Sequence, residues 1–203
     1  MSSVTLSISN GIATITLDNT AKQNALTPEM LSALGRILDE VEAEAGVRAV
    51  LLTSAGERFF CAGADINAWS GLSPQEFARI WVRGGHRLFD RLARLGKPTI
   101  AVLHGNAFGG GLELAAACDI RVMAPGAELA LPETGVGIVP GWSGTQRLMR
   151  LLPEPVVKEM ALFGRRLSAE RALALGFVAE VSSNPFETAT AIAARLSGTS
   201  PTA

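Results

Sequence analysis

The sequence predicts an α/β fold made of strand-strand-helix turns stacked as a spiral, with helices packed outside. Three observations carry this. Apolar runs of strand length and amphipathic runs of helix length follow one another in the order strand, strand, helix about four times along the chain. The 203 residues are 48% hydrophobic and only 18% charged, with 21 glycines, which suits a well-buried core joined by tight turns. Parallel strands joined by helical crossovers wind right-handed, so successive turns of this kind pile into a spiral. The length fits one domain, 1–203, and no repeat is visible in the residues themselves.

Each element has a local reason. Val4, Leu6 and Ile8 alternate with polar residues, as do Ile15 and Leu17, and Asn10-Gly11 between them predicts a hairpin with a type I′ turn. A polar loop spans 18–24. Thr27-Pro28-Glu29 starts a helix, with Thr as N-cap, Pro at the first helical position and an acid in the first turn. Its apolar stripe is Met30, Leu31, Leu34, Leu38 and Val41. Residues 47–53 read as a buried strand and 59–62 as a short extended run, followed by a turn at 63–66. Ser73-Pro74-Gln75-Glu76 is a capping box that opens a long helix toward Leu95, with its weak point at Gly84-Gly85. Later elements are a strand over 99–103, a glycine-led helix, strands at 120–123 and 129–131, and a loop over 134–144 rich in glycine and proline. Helices from Ser143 to Leu152, 154–163 and Ser168 to Gly176, a strand over 177–181 and a helix over 185–196 complete the chain, and the polar tail 197–203 is expected to fray.

Composition excludes several function classes. The formal net charge of −1 gives no electrostatic case for nucleic acid or an anionic membrane. The N-terminus lacks the pattern of a signal peptide, and the apolar runs are too short to span a bilayer. A soluble cytoplasmic protein is the simplest expectation. Cys61 and Cys118 lie in apolar surroundings and are expected reduced and buried. With only His86 and His104 and no ligand-spaced cluster, no metal site is expected.

The chemistry concentrates in residues 98–119. An apolar strand feeds Gly109-Gly110-Gly111, which open an Ala/Leu-rich helix with Glu113 in its first turn. Glycine lets the backbone turn sharply and approach another group closely. The first amides of a helix lack intrahelical partners and favour negative charge. Taken alone, the stretch is equally well explained as a tight corner with Glu113 complementing the dipole. Glu133 is the second carboxylate that follows an apolar, small-residue run. Low-dielectric surroundings raise a carboxyl pKa toward the range useful for proton transfer, and two such groups can hold a water between them. The local sequence of Glu133 by itself reads as a solvated loop acid. Ala64 and Gly110 each sit in a glycine turn whose N–H could point at one carbonyl oxygen. Such an oxyanion-hole donor typically contributes roughly 3 kcal/mol to the transition state.

No competing constellation is present. Gly141-Trp142-Ser143-Gly144 is not a Gly-x-Ser-x-Gly elbow, and the glycine triplet is neither a dinucleotide fingerprint nor a P-loop. His104 reads as a core or loop histidine making a hydrogen bond. Trp69 and Trp81 read as packing residues, and Trp142, in the loop after Glu133, as a possible pocket wall. Lys22, Lys97, Arg165 and Arg166 read as surface charges, although Lys22 could meet a phosphate.

The ordered set Asn24-Ala25-Leu26, 60–66, Lys97-Pro98, 104–114, Cys118-Asp119, Pro132-Glu133, 137–141 and 144–148 resembles the enoyl-CoA hydratase/isomerase (crotonase) family along nearly the whole chain. The resemblance implies the crotonase spiral, a homotrimer or dimer of trimers, and an acyl-CoA partner whose coenzyme A is part of the substrate, with no separate cofactor. It implies a thioester oxygen held by the amides of Ala64 and Gly110, with Glu113 activating water and Glu133 delivering a proton at Cα. Coenzyme A would lie along Lys22, Ala25 and Leu26 and along Ala62, Ala64, Asp65 and Ile66. Hydration of a trans-2-enoyl-CoA is the activity it favours. An isomerase, dehydratase or acyl-CoA hydrolase, or a non-catalytic acyl-CoA-binding or scaffold protein, are the alternatives. Thr20 departs from a proline usual in the family, and the sequence stops at Ala203, where family members continue into C-terminal helices over the coenzyme site.

Overall fold

The computed structural model describes residues 2–198, so the expectation of a fraying tail falls outside the described residues beyond Gly198. Strands β1 (Ser3–Ser9) and β2 (Ile12–Asp18) form the antiparallel hairpin. Asn10 and Gly11 both take positive φ, 52° and 75°, as a type I′ turn requires. Helix α1 (Pro28–Ala43) starts on Thr27, whose side chain accepts the Met30 N–H. Ile37, rather than Leu31, completes its buried stripe. Then come β3 (Ala49–Ser54), β4 (Phe59–Cys61), α2 (Pro74–Glu76), a π-helical stretch Phe77–Val82 and α3 (Arg83–Ala93). They are followed by β5 (Thr99–Leu103), β6 (Asn106–Phe108), α4 (Gly110–Ala117), β7 (Ile120–Met123) and β8 (Glu128–Ala130). The chain continues through α5 (Gly144–Leu151), α6 (Glu154–Phe163), β9 (Leu167–Ser168), α7 (Ala169–Ala174), β10 (Glu180–Val181) and α8 (Pro185–Ala194).

Two sheets result, of six strands in the order β1-β2-β3-β5-β7-β10 and four in the order β4-β6-β8-β9. The pairs β3/β4, β5/β6 and β7/β8 each give one strand to the large sheet and the next to the small one. Within each sheet those strands are parallel. That is the spiral expected from the strand-strand-helix cadence. β3 and β5 are buried at every residue, which is why they read as continuous apolar runs rather than alternating ones. On one face of the large sheet, Ala49, Leu51, Ile100 and Val102 pack against Ala189 and Ala193 of α8. The main core joins the other face to α1, α3 and α4, with all eight residues of α4 buried.

Several expectations are corrected. Gly84 and Gly85 lie inside regular α3; the irregular part of that helix is the π-helical stretch before them. Gly85 is there because a Cβ would stand 2.2 Å from Trp142 Nε1. Residues 106–108, read as part of a glycine turn, form β6. The strand over 177–181 shrinks to β10, because Phe177 and Val178 instead fold back on α7 through bonds to the Ala172 carbonyl. Lys97 is not a free surface charge: its Nζ donates to the Glu44 and Val47 carbonyls at 2.6 and 2.9 Å, tying the end of α1 to the start of β5.

Gly111 shows how tightly α4 is seated. A Cβ there would lie 2.3 Å from the Cys61 carbonyl oxygen, which belongs to the paired backbone of β4 and cannot yield. Gly111→Ala is expected to destabilise the protein by about 3 kcal/mol, read as a lower urea midpoint at unchanged slope.

Candidate active site

The site forms where β4, β6 and β8, neighbours in the small sheet, all reach their C-terminal ends. Each end delivers one functional group. β4 runs into Ala62 to Ala64, β6 into Gly109 and Gly110, and β8 into Pro132 and Glu133. Together with Glu113, Ile66 and Trp142 they line one cavity of about 440 Å³, a size suited to a small-molecule ligand.

The turn after β4 is fixed by the loop 23–26. The Leu26 N–H donates to the Gly63 carbonyl at 2.8 Å, the Asp65 N–H to the Leu26 carbonyl at 2.9 Å, and the Ala62 N–H to the Gln23 carbonyl at 3.0 Å. Strand-like pairing alternates sides, so the Ala64 N–H faces away from this loop. Gly63 makes the turn with φ of +111°. Gly110 is the first residue of α4, and its N–H has no carbonyl four residues back. Among the described residues, neither the Ala64 nor the Gly110 N–H donates a hydrogen bond. A Cβ on Gly110 would lie 3.5 Å from the Ala64 nitrogen, so the two amides share one corner of the cavity.

Both glutamates are buried, Glu113 to 2% exposure and Glu133 to 8%. This corrects the reading of Glu133 as a solvated loop acid: it begins a 3-10 turn, Glu133–Val136, that folds it under the loop. Glu113 Oε1 accepts the N–H groups of Trp142 at 2.8 Å and Gly144 at 2.6 Å. Burial still raises its pKa, against those two amides and the positive field of Arg147. Glu133 has less support. Burial pushes its carboxyl up to about 7, its own backbone N–H opposes this, and the nearby Glu113 adds to it. Its Oε2 is buried without a partner among the described residues. Gly109 takes φ of +50°, and a Cβ there would stand 2.7 Å from Glu133 Oε1, so the first glycine of the triplet makes room for the second carboxylate.

One wall of the cavity is aromatic. Trp69, Trp81 and Trp142 stand in series with ring centroids 5.6 and 5.2 Å apart, and Phe77 and Val82 continue the wall. The Trp142 ring presses against Gly110, where a Cβ would meet it at 2.7 Å. Trp142 is thus a pocket wall, and Trp69 and Trp81, read as packing residues, line the same cavity. Sequence reasoning gave no signal for Phe77 and Val82, because their wall is set by the π-helical turn.

The remaining expected residues lie beside the cavity. Lys22 Nζ pairs with Asp65 Oδ2 at 2.7 Å, and that contact holds the Asp65 carboxyl below its ordinary value. Ala25 and Leu26 sit in the paired loop, with Leu26 fully buried. Asn24, which sequence reasoning did not single out beyond the resemblance, locks this loop by donating to the Ala55 and Phe59 carbonyls at 2.8 and 2.9 Å. His104 Nε2 is buried without a hydrogen-bond partner among the described residues, so the bond expected of it is absent there. Burial pushes the thiols of Cys61 and Cys118 up to about 12, leaving both protonated and poor nucleophiles at neutral pH. No group of three or more potential metal-binding side chains occurs among the described residues. No helix among them is long and apolar enough to cross a membrane.

Comparison with known proteins gives the family. Residues 7–203 match the family model for enoyl-CoA hydratase/isomerase. The chain is 40% identical to a probable enoyl-CoA hydratase of Bacillus subtilis, over 99% of this chain and 78% of that one. It is 36% identical to a short-chain-enoyl-CoA hydratase of Clostridium acetobutylicum, over 100% of this chain and 78% of that one. It is 41% identical to a carnitinyl-CoA dehydratase of Salmonella typhi, over 95% and 73%. An enoyl-CoA hydratase crystal structure from Bacillus anthracis superposes with a TM-score of 0.92 at 36% identity, covering 98% of this chain and 78% of that one. The spiral, the ordered motifs and these matches agree that the chain belongs to the enoyl-CoA hydratase/isomerase family.

Proposed function

We propose that the protein hydrates a trans-2-enoyl-CoA. The observation that carries this is the meeting, in one apolar cavity, of two undonated amides and two buried carboxylates with different environments. The thioester oxygen takes the Ala64 and Gly110 N–H groups. Water, held between the carboxylates, adds its oxygen to Cβ while Glu113 accepts a water proton. The π electrons of the Cα–Cβ bond move to the thioester, giving an enolate whose oxygen the two amides stabilise. Glu133 then gives its proton to Cα, and a proton passes from Glu113 to Glu133 through solvent, restoring the starting state. In this scheme Glu113 starts ionised: burial raises its pKa, and the two amides and Arg147 oppose that rise. Glu133, pushed up to about 7, starts protonated. The two titrate as a coupled pair. The same groups run the reverse dehydration, the direction named for the Salmonella typhi relative.

The acyl group would lie on the wall of Trp81, Val82 and Trp142, which suits an apolar chain. The coenzyme, as part of the substrate, would pass the 22–26 and 62–66 segments, with the Lys22 ammonium at 52% side-chain exposure available to a phosphate. The protein is also read as a cytoplasmic homotrimer or dimer of trimers, for which exposed Leu162 and Phe163 offer apolar contact surface; light scattering gives the mass.

Glu113→Gln and Glu133→Gln are each expected to slow hydration of crotonyl-CoA by about 100- to 10,000-fold, followed as loss of enoyl absorbance. Unchanged rates in both would remove the hydratase assignment.

Glu133 also makes a stability prediction. Its folded-state pKa lies above the unfolded value of 4.5, so the folded protein binds the extra proton. That contribution is fully present below pH 4.5 and is lost as pH rises to about 7. Glu133→Gln, which keeps the shape without the charge, should therefore be more stable than the native chain at pH 8, by on the order of 2 kcal/mol. The gap should close toward pH 5, measured by urea denaturation at both values.

A further inference from the structure

Glu113 is held by a turn whose central residue has not been given a task. Trp142 and Gly144 supply both amides, and Ser143 lies between them. Ser143 takes φ of 76° and ψ of 12°, a left-handed conformation unfavourable for any residue with a side chain. It stands at the N-terminus of α5, where a serine usually caps by its hydroxyl, yet its side chain makes no cap bond. Its Oγ instead lies 2.6 Å from His86 Nδ1, on α3. Strain accepted at a buried position, with the ordinary bond given up for one to another helix, calls for a reason.

We propose that Ser143 and His86 form a positioning pair that holds the 141–144 turn so both its amides converge on Glu113 Oε1. The geometry supports this at three points. The Trp142 and Gly144 N–H groups, on either side of the left-handed Ser143, both meet Glu113 Oε1, at 2.8 and 2.6 Å. The turn is docked further by a bond from Trp142 Nε1 to the Trp81 carbonyl of the preceding π-helical stretch at 3.1 Å, and by the Trp142 ring seated on Gly85 of α3. Gly144 completes the fit, since a Cβ there would stand 2.5 Å from Glu113 Cγ. With Oε1 fully engaged, Glu113 has Oε2 to present to the cavity. Neither Ser143 nor His86 lines that cavity, so they act through Glu113 and not on the substrate.

The proposal rests on Glu113 being a reacting carboxylate, and its test separates the two claims. Ser143→Gly removes the hydroxyl but suits the left-handed conformation, so its thermal midpoint should equal or exceed that of the native protein. The carboxyl carbon of Glu113, followed by NMR in protein labelled at glutamate and assigned with Glu113→Gln, should titrate at higher pH in Ser143→Gly and in His86→Ala. Looser amides stabilise the anion less. With crotonyl-CoA, kcat should fall about 10- to 100-fold in both while KM stays nearly constant. The double variant should be no worse than either single one, and His86→Asn, which can accept from or donate to the hydroxyl, should recover part of kcat. A native Glu113 titration in both single variants would overturn the pairing, as would native kcat in a chain that turns over crotonyl-CoA. If the native chain has no such turnover, the hydratase assignment fails and the NMR titration alone decides the pair.

Discussion

Burial of one ionisable carboxylate constrains the rest of the site. Glu113 lies in a helix that is otherwise glycine, alanine and leucine, with every residue buried. An unsupported charge there would be intolerable, so the fold must bring donors to it. They come from the chain some thirty residues later, as the amides of Trp142 and Gly144. Bringing that backbone against α4 requires Gly110 and Gly144 to lack side chains and the Trp142 ring to find room over Gly85. The glycines around the site are therefore consequences of seating a charge, as much as turn formers.

The spiral supplies the other groups through its connectivity. Because consecutive strands go to alternate sheets, β4, β6 and β8 become neighbours although a helix or long loop separates each from the next. Their parallel direction places their C-terminal ends side by side. One end gives the Ala64 amide, the next the Gly110 amide and Glu113, and the third Glu133. Parallel α/β sheets commonly place ligands at this end, where the chain leaves the sheet and its backbone groups become available.

How much of this was legible in the sequence depended on whether the cause was local. The Asn10-Gly11 hairpin, the Thr27 and Ser168 caps and the Ser73/Glu76 capping box rest on neighbouring residues, and each appears as read. The glycine turn at 109–111 was legible too. The three-residue strands of the small sheet exist only through pairing with distant partners, so β6 passed for part of a turn. The environment of Glu133 was misread for the same reason: its carboxylate is seated against Gly109, which lies 24 positions earlier in the chain. Ser143 was read as a helix start, and no neighbour in the chain signals that His86, 57 positions earlier, shares a hydrogen bond with its hydroxyl.

Under the proposed hydration, the distribution of donors lets two glutamates share the cavity without both being charged. If Glu113 is ionised and Glu133 protonated at the start, the cavity holds one negative charge. In that scheme, when water adds and Glu113 takes a proton, the charge would pass to the thioester oxygen. When Glu133 protonates Cα, it passes to Glu133. In the proposed hydration one charge thus occupies three places in turn, and each would have backbone N–H support: Trp142 and Gly144 at the first, Ala64 and Gly110 at the second, and the Glu133 N–H at the third. In an apolar cavity a second simultaneous charge would be heavily penalised, whereas moving one charge among prepared positions is not. Glu133 has the weakest support of the three, which keeps its proton available for transfer near neutral pH.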